Sequence, residues 1–72
     1  MPSTPSTEQV ASTVRAELAR RDVSQALVAE RLGLSQAAMS RRLRAKVEFT
    51  VSELVTIADV LDVDPSALLR AS

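Results

Sequence analysis

Two serines eleven residues apart, with the chain's one glycine shortly before the second, constrain this sequence more than any other feature. Ser24 precedes the stretch QALVAERL and Ser35 precedes QAAMSRRL. A serine hydroxyl accepts a hydrogen bond from an amide in the first helical turn, so each serine predicts a helix start. Gly33 stands where helices commonly end in a left-handed residue, which glycine adopts without steric cost. Only Gly33, Leu34 and Ser35 remain to join the two helices. The chain must turn sharply there, and the apolar Leu34 is placed to plug the angle.

Similar punctuation delimits the rest. The opening MPSTPST is rich in proline and small polar residues, so residues 1–6 are expected to be loose. Ser6 and Gln9 have capping-box spacing, and Val10, Val14 and Leu18 recur on one helical face as far as about Arg21. The second helix offers Leu27, Val28 and Leu32 as its apolar residues. After the third helix, KVEFT reads as a surface loop in which Phe49 tucks under the next helix. Thr50 and Glu53 form another capping box, followed by the stripe Leu54, Ile57, Ala58 and Leu61. Asp64-Pro65 predicts an N-cap and first position for a short fifth helix through Leu68 and Leu69. The expected fold is all-α, five short helices around one core, in a domain spanning residues 7–70.

Composition narrows the chemistry. The 72 residues contain no cysteine, histidine, tyrosine or tryptophan, and Phe49 is the one aromatic. So small a chain hides only about 60% of the surface its unfolded form exposes, and leucine, valine and alanine must make the core. No disulfide, thiolate or metal-ligand cluster is available, which leaves carboxylates, serines and Lys46 as the only reactive groups. Asp62 and Asp64 read as a helix end and an N-cap rather than an acid–base pair, so catalysis, a metal and a cofactor are not expected. No apolar run has the length of a membrane span or signal peptide. The expectation is a cytoplasmic domain with neither membrane nor small-molecule partner.

The formal net charge is zero, but the charge is segregated. Residues 15–46 hold Arg15, Arg20, Arg21, Arg31, Arg41, Arg42, Arg44 and Lys46 against Glu17, Asp22 and Glu30, a net +5. Residues 47–72 hold Arg70 against Glu48, Glu53, Asp59, Asp62 and Asp64, a net −4, and Glu8 completes the balance. Such asymmetry suits a polyanion-binding surface, although separated charge also serves solubility and self-association. On a helical wheel, Gln36, Ser40, Arg44, Ala37 and Arg41 share a sector of roughly 140°. Met39 and Leu43 lie outside it as the core-facing pair, and Arg42 lies on the flank nearer the apolar side. Glutamine pairs bidentately with adenine and arginine with guanine in the major groove, while a small alanine permits close approach. The same arginines would equally serve as a solvated face. Two serine-glutamine helix starts around a three-residue turn favour the nucleic-acid reading, because free amides at helix N-termini also attract phosphate.

The stretch VSQALVAERLGLSQAAMSRRL resembles the helix-turn-helix of the phage repressor and Cro-type family, often called the XRE family, and FTVSELVTIADVLDVDPSALL is similar to that family's last two helices. The resemblance implies a compact lambda-repressor-like domain, with the motif at about residues 24–45 and the third helix in the major groove. It implies base reading by Gln36, Ala37 and Arg41, with Ser40 beside them. It implies phosphate contacts by Gln25, which would also brace Gln36, and by Arg44 and Lys46. Ala29, Gly33, Leu34 and Met39 match packing positions. This sequence departs from the family in three places. Arg42 and Leu43 replace an apolar residue and an acid, which would either rotate the C-terminal part of the helix or make Arg42 an extra phosphate ligand. Ala45 replaces the glycine that usually ends the third helix, and Asp62 stands where glycine or asparagine is common.

Together the residues and the resemblance imply a sequence-specific regulator of transcription on double-stranded DNA, a small repressor or Cro-like protein of bacterial or phage origin. It would act as a homodimer on a pseudo-palindromic operator. The acidic, leucine-containing residues 60–69 offer a dimer contact, or Leu68 and Leu69 close the core. The alternative is an antitoxin-like or regulatory protein-interaction module on the same fold that no longer reads DNA.

Overall fold

Local side-chain chemistry starts each helix of this chain. The computed structural model describes residues 4–69. Residues 1–3 of the expected loose opening and Arg70 at the expected domain end lie outside them. Helix α1 runs Thr7–Arg20, α2 Gln25–Leu32, α3 Gln36–Leu43 and α4 Val51–Leu61. Ser6 and Thr50 each accept the amide three residues on, and Gln9 and Glu53 return the bond to the cap backbone, completing both capping boxes. Ser24 and Ser35 accept from the amides of Leu27 and Ala38 at 3.0 and 3.1 Å. No strand occurs among the described residues.

The helix ends share one geometry. Asp22, Gly33, Ala45 and Asp62 all have positive φ, between 56° and 70°, just past the ends of successive helices. At each site two amides bond back to the last turn: Val23 to Leu18, Leu34 to Ala29, Lys46 to Arg41 and Val63 to Ala58, each at 2.8 or 2.9 Å, beside a second bond from the left-handed residue itself. This six-to-one and five-to-two pairing satisfies carbonyls that the helix leaves open. It also aims the next residue back at the helix. Val23, Leu34 and Val63 accordingly pack against the core.

That core is made by Val14 and Leu18 of α1, Val28 and Ala29 of α2, Met39 and Leu43 of α3, Leu54, Ile57, Ala58 and Leu61 of α4, with Phe49 and Leu68. The α4 stripe, the α3 pair and the tucked Phe49 match the sequence pattern. On α2, Val28 and the packing position Ala29 are buried as expected, whereas Leu27, expected among the apolar face, is 37% exposed. The two helices of the tight turn, α2 and α3, pack on one another, while α1 supports α3 and α4 supports α2.

The expectation of five helices needs correction. Among the described residues there are four α-helices, and Pro65–Leu68 form one short 3-10 helix. Its bonds run from Ala67 to Asp64 and from Leu69 to Ser66, three residues back. Bonds of that spacing define a 3-10 turn, and Pro65 at its first position loses no intrahelical bond, because an amide there has no partner in either kind of helix. It still buries Leu68 completely, whereas Leu69 remains 45% exposed.

Gly33 has open space around the place of a Cβ, so its φ of 70° alone makes glycine favourable there. Ala45, at φ 61°, has no such freedom. A left-handed non-glycine residue costs about 1–2 kcal/mol, partly offset by the entropy glycine loses on folding. Ala45→Gly is therefore expected to stabilise the domain by about 0.5–1 kcal/mol, raising the melting temperature by about 3–6 °C. Gly33→Ala should lower it by a similar amount. A melt in which Ala45→Gly is no more stable than the parent would contradict the left-handed conformation at residue 45.

Candidate nucleic-acid interface

The turn between α2 and α3 determines what the two helices present outward. Because Met39 and Leu43 are buried, the opposite side of α3 must face solvent, and Gln36, Ala37 and Arg41 are all exposed there. Ser40 is half-buried beside them. Gln25 begins α2 and Gln36 begins α3, and both line one cleft of about 320 Å³ with Ala26, Ala29, Met39 and Ser40. The small side chains on α2 make room for this cleft. It gathers a forked amide from each helix and a hydroxyl at the mouth of the turn.

Most of the basic half divides into committed and uncommitted cations. Arg20 and Arg21 converge on Glu17, with contacts of 2.8 and 3.2 Å. The Arg20 hydrogen bond is the main reason that the Glu17 carboxyl lies below its ordinary range. Among the described residues, Arg41, Arg44 and Lys46 form no ion pair, and all three are at least partly open to solvent. Arg41 lies on the same solvent face as Gln36 and Ala37. Arg44 closes α3, and Lys46 follows the left-handed Ala45. The missing glycine thus leaves the turn intact.

Arg42 is the one site residue the structure places elsewhere. It points toward α4, where its Nε donates to Glu53 Oε1 at 3.0 Å, and both side chains are mostly withdrawn from water at 16% and 15% exposure. Its Nη1 also donates to the Ala38 carbonyl at 3.3 Å. The wheel position near the apolar flank carried this signal, but the acid that completes the pair lies eleven residues on. Reading α1 as scaffold also missed Arg15, whose Nη1 donates to the Leu43 carbonyl at the end of α3. A cation there complements the helix dipole. No local spacing could have shown a partner 28 residues away.

Glu53 is the best-connected acid of this region. Burial works against its charge, yet the Thr50 amide and Arg42 outweigh that penalty and hold the carboxyl below its ordinary range. A carboxyl depressed by folding contributes stability that is fully present above its unfolded value, about 4.3, and is lost as pH falls through the lower folded value. Glu53→Gln should therefore flatten the acid limb of the stability curve, losing less stability than the parent between about pH 5 and pH 3. Urea midpoints across that range check this, and parallel acid limbs would show that Glu53 is not a titrating contributor.

A helix-turn-helix family model matches residues 14–68, well over half the chain, from the buried Val14 of α1 to the buried Leu68 of the final turn. No curated protein and no solved structure matches the chain.

Proposed function

This chain belongs to the Cro/XRE-type helix-turn-helix family of DNA-binding regulatory domains, and from that premise we propose that it is a sequence-specific regulator of transcription, a small repressor or Cro-like protein. Helix α3 lies in the major groove of double-stranded DNA. Gln36 and Arg41 read base edges, Ala37 allows close approach and touches a thymine methyl, and Ser40 lies beside them. Gln25, Arg44 and Lys46 hold phosphates and so set affinity and salt dependence without reading sequence.

One observation carries this reading. The solvent face of α3 offers Gln36, Ala37 and Arg41 together, while Arg41, Arg44 and Lys46 hold no acid among the described residues. Had Arg41 and Arg44 been neutralised within the domain, Lys46 alone of these three cations would remain for a polyanion. Arg42 is left out of the contact set because Glu53 occupies it.

A single domain makes few phosphate contacts, so tight binding calls for two copies on a pseudo-palindromic operator, with recognition helices about 34 Å apart. For the self-contact, residues 60–69 divide: Leu68 belongs to the core, and Leu69 is exposed, as are Val51 and Val55 of α4. Those three apolar side chains are the self-contact we favour. No helix among the described residues is long and apolar enough to cross a membrane.

The two roles are separable by mutation. Arg41→Ala is expected to change sequence preference, costing about 1–3 kcal/mol of discrimination at one base pair. Lys46→Ala should weaken all duplexes about equally and lower the slope of log affinity against log salt by about 0.9. Titrations of a panel of duplexes at several salt concentrations distinguish them. A uniform loss of affinity in Arg41→Ala, with preference intact, would defeat its base-reading role.

A further inference from the structure

The basic loop after α3 is bracketed by one ion pair. Arg42 is in the last turn of α3 and Glu53 in the first turn of α4. Glu53 Oε1 accepts both Arg42 Nε and the Thr50 amide, each at 3.0 Å, so a single oxygen binds the end of one helix to the start of the next. The contact from Arg42 Nη1 to the Ala38 carbonyl fixes the guanidinium along its own helix. Arg15 of α1 holds the Leu43 carbonyl, and Phe49 is buried. Between these fixed points the chain carries Arg44 and Lys46, neither of them buried.

Resting on the DNA-binding reading above, we propose that Arg42 and Glu53 are positioning residues: their ion pair sets the path of residues 44–50 so that Arg44 and Lys46 meet the phosphate backbone, and Arg42 itself touches no phosphate. The energetic logic is preorganisation. Long basic side chains lose rotamer freedom when they engage a phosphate, and a fixed backbone removes the further cost of ordering the loop. Electrostatics alone makes the opposite claim. An acid beside a DNA-binding surface repels the polyanion and sequesters a cation, so neutralising Glu53 would then tighten binding and free Arg42 for phosphate. The sign of the effect decides between them.

Glu53→Gln keeps an oxygen for the Thr50 amide and so preserves the start of α4. Affinity of the full chain is measured for a preferred and an unrelated duplex over a range of salt, with thermal melts to establish folding. The expected result is weaker binding to both duplexes by about three- to tenfold, on the order of 1 kcal/mol, with preference unchanged. In that background Lys46→Ala should add less than about twofold, because Lys46 has already lost its phosphate. Unchanged or tighter binding by folded Glu53→Gln overturns the proposal. Should that variant melt below the assay temperature, Arg42→Met gives the same decision. The proposal requires Lys46→Ala to lose most of its effect there, and a full Lys46→Ala effect overturns it. A parent protein that prefers no duplex defeats the DNA-reading function itself, a result seen before any variant is made, and this inference falls with it.

Discussion

A left-handed residue after each α-helix is the constraint on which this structure depends. Helices of eight residues, such as α2 and α3, are far too short to persist in water by themselves. They persist because each end is closed by backbone bonds and most reversals return an apolar side chain to the common core. Val23, Leu34 and Val63 all do so. After α3 the position that is apolar elsewhere is Lys46, which is exposed. The domain forgoes a core contact there, where the proposed interface has a phosphate contact, and it closes that turn with alanine in a conformation glycine would adopt freely.

The sequence made some of this plain because the interactions are local. A cap is a contact across three residues, so Ser6, Ser24, Ser35 and Thr50 could each be read directly, and the stripe on α4 follows from helical period. Asp22 was harder. Nothing in the sequence separates an aspartate in a left-handed turn from one on a solvated surface. Leu27 was misjudged because an apolar residue in a short helix does not by itself show which side the neighbouring α3 and α4 cover. The fifth helix is one 3-10 turn, and its Asp64 cap and proline start could not show this, because both serve either kind of helix.

The candidate site divides in the same way. The exposed face of α3 was legible as soon as Met39 and Leu43 were recognised as core, since a helix that buries one side must show the other. Arg42 was not legible in the same sense. Its wheel angle lies between the faces, and only the fold reveals that Glu53 waits on that flank. Arg15 is similar, reaching from α1 to the end of α3. Local pattern therefore shows which residues face outward, while long-range pairing decides which cations are free to meet a ligand. The segregated charge of the sequence overstates the available surface, because Arg20, Arg21 and Arg42 are satisfied within the domain.

Everything proposed for this domain depends on α3 reading base sequence in double-stranded DNA. The most direct measurement is selection of random duplexes by the purified protein at near-physiological salt, followed by sequencing. A dimer reading DNA through α3 enriches an inverted repeat, with half-sites about one helical turn apart. Recovery of the starting pool without enrichment, by a protein shown to be folded, would contradict it and direct attention to a protein partner for the same surface.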